Sequence, residues 1–395
     1  MNINIRKKRL LVFINRKLIS YDHILPFLFE LKKYQPTAKI EIWFPDFDTY
    51  LEIKKNIFIY ECGKDIADFY IISSKQFKGF HRIFNKINIS LKLGYRILLA
   101  VLFKITFIHY RLLDSKPFST LKYFNKSNTF LAENDSYGYT KIMNDVKFLK
   151  VSSLDNNNNR QNINFLQFSD VWFQKNPKLG DFLNFGTPKK SDVWINHVKS
   201  VSEEYIRNEY KAYSVEYPSN MIPIMLGYFG GLTHQTTIDA QELLLVETLE
   251  VLKDSKSNAL ILLKPHMISD LKIVYKVIKL FPELNIFITY LHPMILATQA
   301  KFVIANDYST SLNDFKVMGV NTIEYASYNN QALELTSGKS MRPEYVDYFI
   351  NHDKLLLSET IKKLVNETKK ERIEKEIEIN NKNSNVIFNR MLNIG

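Results

Sequence analysis

The chain has 395 residues, 46% of them hydrophobic and 13% aromatic, which excludes wholesale disorder and supplies material for two cores. Its single cysteine, Cys62, excludes an internal disulfide and a cysteine-rich metal site, and fits a reducing compartment. The formal net charge is +12, and +10 of it falls between Lys75 and Lys126, where eleven Lys and Arg stand against one acid, Asp114. No nucleic-acid recognition motif accompanies that charge, so nucleic acid is not an expected partner.

Arg9–Ile14 (RLLVFI) reads as a first strand. Its apolar run is too short for a secretory signal, and no stretch reaches about 18 apolar residues, so neither a leader nor a membrane span is expected. Ser20–Lys33 carries Ile24, Leu25, Phe27, Leu28 and Leu31 at helical spacing, with Ser20 as the expected N-cap. Lys39–Phe44 reads as a second strand, Tyr50–Asn56 as a short helix and Ile57–Tyr60 as a third strand. The chain after the first strand is Asn15-Arg16-Lys17, without the glycine fingerprint of dinucleotide sites, so NAD and FAD are not expected. Asp46-Phe47-Asp48 has the spacing to hold a hard divalent cation, but an aspartate at a strand-to-helix turn more commonly caps the helix, and capping is the expectation.

Phe77–Tyr110 alternates cations with large apolar residues and predicts an amphipathic helix. Such a helix can lie on an anionic membrane surface, where each cation contributes about 1 kcal/mol. The alternatives are a solvated flank of a core helix or a groove for an acidic substrate. Contact with an anionic membrane through residues 75–126 is the expectation, which places the protein on the cytoplasmic side of a membrane.

Asn128–Ala132 is a further strand followed by Glu133-Asn134-Asp135-Ser136-Tyr137-Gly138-Tyr139, where Glu133 or Asp135 can act as a general base or simply form an acidic, helix-capping turn before Thr140–Val146. Asp155–Arg160 is a surface loop by composition. Ser169–Phe173 and Ser191–Ile195 both open with SDVW, without forming a repeat; the second is read as the last strand of the first domain, before a helix at Val201–Tyr213.

Ser214–Pro223, with two prolines, reads as an interdomain linker. Ile224–Phe229 starts a new sheet, and Gly230-Gly231 allows close backbone approach to a ligand. After the helix Ala240–Lys253, the runs Ala259–Leu263, Ile286–Tyr290 and Lys301–Ala305 alternate with helical stretches, the pattern of a parallel sheet. Ligands of such sheets sit beyond the carboxyl ends of the strands. Those ends carry Lys264-Pro265-His266, His292-Pro293 and Asp307-Tyr308-Ser309-Thr310-Ser311, an imidazole and a set of hydroxyls suited to a nucleotide phosphate. Asn313–Gly319 is a short helix, Asn321–Tyr325 a strand ending near Glu324, and Lys354–Glu376 a charged terminal helix.

Two Rossmann-like halves, a linker and a returning terminal helix resemble GT-B glycosyltransferases. Asn306-Asp307-Tyr308-Ser309-Thr310-Ser311-Leu312-Asn313-Asp314-Phe315 closely resembles a motif of the CDP-glycerol glycerophosphotransferases. The histidines, together with the acidic run Glu133–Tyr139, resemble motifs of the bacterial sialyltransferases and related capsule and lipopolysaccharide enzymes. The acidic run departs from that pattern, its glycine standing at Gly138 and Asn134 interrupting the acids. His292-Pro293 spells the histidine motif literally, while His266 occupies the expected topological place with Met267 in place of proline. Topology favours His266, with His292 as the alternative acid.

The resemblance implies an α/β, two-domain GT-B fold with a cleft between the domains. Its expected boundaries are an acceptor domain at residues 1–215, a nucleotide-sugar domain at 221–350, and a helical segment at 351–395 packing back on the first domain. It implies a metal-independent, inverting transferase without cofactor, moving a sialic-acid-like sugar from a CMP donor to a glycan or lipid-linked acceptor. Asp135 or Glu133 would be the base and His266 the acid. Gly230, Gly231, Lys264, Ser309, Thr310 and Ser311 would hold the donor, with Glu324 on the ribose unless it is an ordinary exposed strand-end acid. The alternatives are a CDP-glycerol or polyol phosphotransferase and a UDP-sugar 2-epimerase.

Overall fold

The computed structural model describes residues 9–15, 18–73, 75–103, 106–110, 129–134, 164–168, 182–213, 220–227, 238–255, 259–266, 269–366 and 378–392. The chain divides into two compact units, residues 1–194 with 375–395, and residues 195–374.

The first unit is built on a seven-stranded sheet of β1 (Arg9–Phe13), β2 (Lys39–Phe44), β3 (Ala67–Ile71), β4 (Thr106–Tyr110), β5 (Thr129–Asn134), β6 (Asn164–Phe168) and β7 (Phe182–Asn184), in the order β3-β2-β1-β4-β5-β6-β7. Every pairing is parallel, with Leu11 opposite Glu41 and Glu41 opposite Asp68. Helices α1 (Leu18–Tyr34), α2 (Phe47–Lys55), α3 (Ile57–Ile66) and α4 (Gly79–Phe103) belong to this unit. Asp46 caps α2, accepting from the Thr49 N–H at 2.9 Å and the Thr49 hydroxyl at 2.7 Å, as expected of an aspartate at that turn.

Two sequence expectations fail here for one reason. Ile57–Tyr60 is not a strand but the start of α3, whose buried residues Phe58, Ile59, Cys62, Gly63 and Ile66 recur with helical period once the window extends beyond Tyr60. The third strand is Ala67–Ile71. Likewise Ser191–Ile195 is not a strand: Asp192 starts α5 (Asp192–Tyr213), and Trp194, Ile195 and Val198 bury one helical face. Short β-branched and aromatic runs do not distinguish the two states without their flanks. Ser20 is inside α1 and gives its hydroxyl to the Asn15 side chain at 2.5 Å instead of capping the helix.

The last helix, α12 (Glu378–Leu392), returns to this unit. Phe388 packs on Phe27 and Phe185 with ring centroids 5.4 and 5.6 Å apart, and Tyr34 donates to Asn389 at 2.7 Å. Burying aromatic surface of this kind is what holds a terminal helix in place.

The second unit carries a six-stranded sheet of β8 (Met221–Leu226), β9 (Leu260–Lys264), β10 (Ile286–Ile288), β11 (Phe302–Asn306), β12 (Asn321–Ala326) and β13 (Tyr348–Asn351), in the order β10-β9-β8-β11-β12-β13, again parallel throughout. Helices α6 (Ile238–Asp254), α7 (Leu271–Ile278), α8 (Pro293–Gln299), α9 (Leu312–Val317), α10 (Asn330–Thr336) and α11 (Lys354–Asn366) connect the strands or follow them. Leu245 and Leu249 of α6, with Leu357 and Ile361 of α11, close the core over Leu263, Ile304 and Ile323.

Pro223 is not in a linker but inside the central strand β8, opposite Leu262 of β9. A proline has no N–H to give a ladder. The contact of β8 with the β11 side accommodates it: Met221 accepts from Lys301, and regular pairing resumes only at Ile224. The sequence readings at Thr140–Val146, Asp155–Arg160 and Ser169–Phe173 lie outside the described residues.

Candidate functional site

Strand order in the second sheet reverses between β8 and β11, whose chain continuations leave in opposite directions. In an open parallel sheet the loops at such a reversal diverge beyond the carboxyl edge, which is where ligands bind.

Gly227 directly follows β8 and donates its N–H to the Asn306 carbonyl at 3.1 Å, while its own carbonyl accepts from the Ser269 hydroxyl at 3.3 Å. It thus joins the turn after β9 to the end of β11. That turn holds Lys264, Pro265 and His266, and is closed by the Ser269 N–H on the His266 carbonyl at 2.9 Å. Asp270 then caps α7 by accepting from the Lys272 N–H at 2.9 Å. The His266 side chain is exposed on one side, yet enough protein surrounds the imidazole to strip part of its hydration, and this holds its pKa below the ordinary value.

On the other side of β8, the buried Asn306 anchors β11 by donating to the Thr248 hydroxyl at 2.9 Å. Asp307 follows in the left-handed region, φ 78°, a conformation that aspartate tolerates better than most side chains. The bend turns the chain into Tyr308-Ser309-Thr310-Ser311 and then α9. The Ser309 carbonyl accepts from Leu312 at 3.3 Å and its hydroxyl from the Ser311 N–H at 3.3 Å. The Ser311, Leu312, Asn313 and Asp314 amides at the head of α9 are therefore engaged internally, while the turn carries the hydroxyls of Ser309, Thr310 and Ser311. His266 and Ser309 share the carboxyl edge, in the turns that follow β9 and β11, the two strands flanking β8, whose axes are about 10 Å apart.

Glu324 is neither an exposed strand-end acid nor at a strand end. It stands within β12, paired with Ala305 and Phe349, and is 1% exposed. Tyr328 donates to one carboxylate oxygen at 2.6 Å and Ser340 to the other at 2.7 Å. Burial dominates over these two hydrogen bonds, and together with the nearby Asp307 charge raises the Glu324 pKa to about 7.

His292 has a structural task. It is the N-cap of α8, buried, with Nδ1 accepting from the Met294 N–H at 3.2 Å and Pro293 at the first helical position. The His-Pro spelling there is that of a helix start.

Of the remaining candidates, Glu133 lies in β5 opposite Gln167 and not in the loop beyond the strand. Its side chain, Asp135, Gly230 and Gly231 lie outside the described residues. The sequence reading missed Gly227, whose place as the first residue after a buried strand was its only signal. It also missed the Tyr328 and Ser340 partners of Glu324, which stand 4 and 16 residues away and leave no periodic trace.

No protein-family model matches the sequence, and no curated protein matches it significantly. Solved structures do resemble it. The UDP-GlcNAc 2-epimerase of Methanocaldococcus jannaschii, solved with UDP-GlcNAc and UDP, is 12% identical, with 98% of this chain and 100% of that one covered at a TM-score of 0.56. A UDP-glucosyltransferase from Polygonum tinctorium is 10% identical over 98% and 97% of the two chains, with a TM-score of 0.49. A glycosyltransferase from Rickettsia africae is 11% identical over 98% and 94%, with a TM-score of 0.48. At such identities the likeness is one of fold, and with two Rossmann-like sheets that fold is of the GT-B class.

Proposed function

We propose that the protein is a glycosyltransferase that takes a sugar from a nucleotide donor, with the donor phosphate held at the carboxyl edge of the second sheet. The observation that carries this reading is the meeting of the β8, β9 and β11 ends around Gly227, which sets an imidazole and a hydroxyl-rich turn on one edge. His266 donates a hydrogen bond or a proton to the departing phosphate as charge develops there. Ser309, Thr310 and Ser311 supply hydroxyl donors, Lys264 a cation at the same edge, and Gly230 and Gly231 a close backbone approach. Asp135 or Glu133 is the base that deprotonates the acceptor hydroxyl, an assignment that rests on the sequence motif. Glu324, at 1% exposure, serves the site by ordering the second sheet's edge through Tyr328 and Ser340 rather than by touching a ribose.

For the donor we propose a CMP-linked, sialic-acid-like sugar and a cell-surface glycan acceptor, in a reaction needing neither metal nor cofactor. Support comes from the Asn306–Phe315 motif and its resemblance to cytidine-nucleotide enzymes. The same motif equally suits a CDP-glycerol donor and phosphoryl transfer. A second reading, a UDP-sugar 2-epimerase, is favoured by the full-length likeness to the M. jannaschii epimerase.

A thermal-shift panel of CMP, CDP, UDP and GDP separates these readings, because a ligand of the folded state alone raises the melting temperature by mass action. CMP or CDP stabilising above UDP supports the cytidine reading, after which turnover of CMP-sugar against CDP-glycerol decides the reaction. UDP preference together with acceptor-free consumption of UDP-GlcNAc replaces it with the epimerase. No shift with any nucleotide removes the nucleotide-sugar reading altogether.

A further inference from the structure

Helix α4 is built the wrong way round for a helix that only packs on a core. Its polar side provides the attachment: the Arg96 guanidinium holds the buried Glu41 carboxylate of β2 at 2.8 Å, and the Lys92 ammonium sits 5.3 Å over the Tyr70 ring. Leu93, on that same side, is buried. The opposite side is apolar and open to solvent. Phe80, Phe84 and Leu91 are 76%, 62% and 69% exposed, and Ile83, Ile87, Tyr95 and Leu98 are each more than half exposed. At 100° per residue these seven side chains fall within an arc of about 120°, one continuous stripe along the helix. A contiguous apolar surface of this size marks an interaction site.

We propose that this stripe docks on the surface of an anionic lipid bilayer, the helix lying in the plane of the headgroups with its aromatic and aliphatic side chains inserted. Charge selects that occupant. No acid stands between Asp68 and Asp114, and Lys75, Lys78, Arg82 and Lys86 are exposed around the start of the helix. Such a cationic collar is attracted to acidic headgroups while the apolar residues leave water. Among the described residues no helix is long and apolar enough to cross a membrane, so the contact lies along the surface. A second copy of the chain is the poorer occupant, because two identical stripes would bring cation against cation with no carboxylate on α4 to pair them. This inference does not depend on the donor chemistry.

The experiment is co-sedimentation of the full chain with phosphatidylcholine vesicles, with and without phosphatidylglycerol. The wild type is expected to bind the anionic vesicles at least about tenfold more tightly, a preference lost at high salt. Phe80→Ser/Phe84→Ser/Leu91→Ser should lower that binding at least about tenfold with little change in melting temperature, because these side chains are exposed in the folded protein. Arg82→Glu/Lys86→Glu should erase the preference for phosphatidylglycerol even if the apolar variant proves unstable. The proposal is overturned if the wild type ignores anionic vesicles or if both variants bind as it does. It is equally overturned if sedimentation velocity shows a dimer that the apolar substitutions dissociate, without vesicle binding.

Discussion

Gly227 approaches Asp307 so closely that a Cβ on the glycine would stand 3.4 Å from the Cβ of the aspartate and 3.3 Å from the Asn306 carbonyl oxygen. The neighbour is strand backbone, already fixed by the Gly227 N–H, so it has little freedom to retreat. Gly227→Ala should therefore cost about 1 kcal/mol and Gly227→Val about 3, the scale of overpacking in a closed interior. Urea denaturation gives the cost. The same variants should weaken nucleotide binding in thermal shift, since the Asp307 bend aims the hydroxyl turn. Full affinity in a destabilised Gly227→Val would separate this glycine from the site.

The two histidines make opposite predictions. His266→Ala should lower turnover by roughly a hundredfold, the usual contribution of a positioned acid, with a small change in stability. A bound phosphate favours the imidazolium and so raises the depressed His266 pKa. Nucleotide affinity should accordingly rise as pH falls through that pKa, and His266→Ala should flatten the dependence. His292→Ala should instead cost at least about 1 kcal/mol through loss of the α8 cap, while His292→Asn retains a capping acceptor and recovers part of it. Calorimetric titration with the preferred nucleotide, alongside melts, tests both. A pH-independent His266 site, or normal turnover without it, ends its role.

Which parts of this could be read beforehand follows from how local each cause is. The second sheet was legible because Leu260–Lys264, Ile286–Ile288 and Phe302–Asn306 are short apolar runs bounded by prolines, polar turns and helical spacing. The placement of His266 and Ser309 on one edge followed from topology alone. Ile57–Tyr60 and Ser191–Ile195 failed because four or five residues carry no period, and their helical character lies in residues further along. The capping function of His292 and the burial of Glu324 were unreadable for a different reason. A motif names side chains without saying which way they face, and the partners of Glu324 arrive through tertiary packing at Tyr328 and Ser340.

Burial of Glu324 has a consequence for pH. The unfolded carboxyl titrates near its ordinary 4.5 and the folded one at about 7, so the native state holds an extra proton between those values. A raised pKa contributes stability that is fully present below the unfolded value and is lost as pH rises through the folded one. At about 1.36 kcal/mol per pH unit, that displacement corresponds to roughly 3 kcal/mol of downward slope in stability from about pH 5 to about pH 8. Glu324→Gln should remove most of this slope. Urea melts across the range are the test, and equal slopes in the two proteins would contradict the assignment.

Glu41 is the anchor on which the exposed helix depends. It stands inside β2, 0% exposed, and is gripped by Arg9 of β1 as well as by Arg96 of α4. Removing the carboxylate takes away the buried counter-charge that two partly buried guanidinium groups share. Breaking a buried pair from one side costs about 3–5 kcal/mol, far more than the pair contributes over an apolar replacement of both partners. Glu41→Gln should therefore destabilise the protein by about 3 kcal/mol. Replacing the partners together, Glu41→Leu with Arg9→Met and Arg96→Met, should recover much of that loss, and the excess over additivity measures the coupling. If the triple variant is instead no more stable than Glu41→Gln, the cluster is needed for geometry and not merely for charge balance. In that case Arg96 positions α4, and vesicle binding should fall in the triple variant although every residue of the apolar stripe is intact.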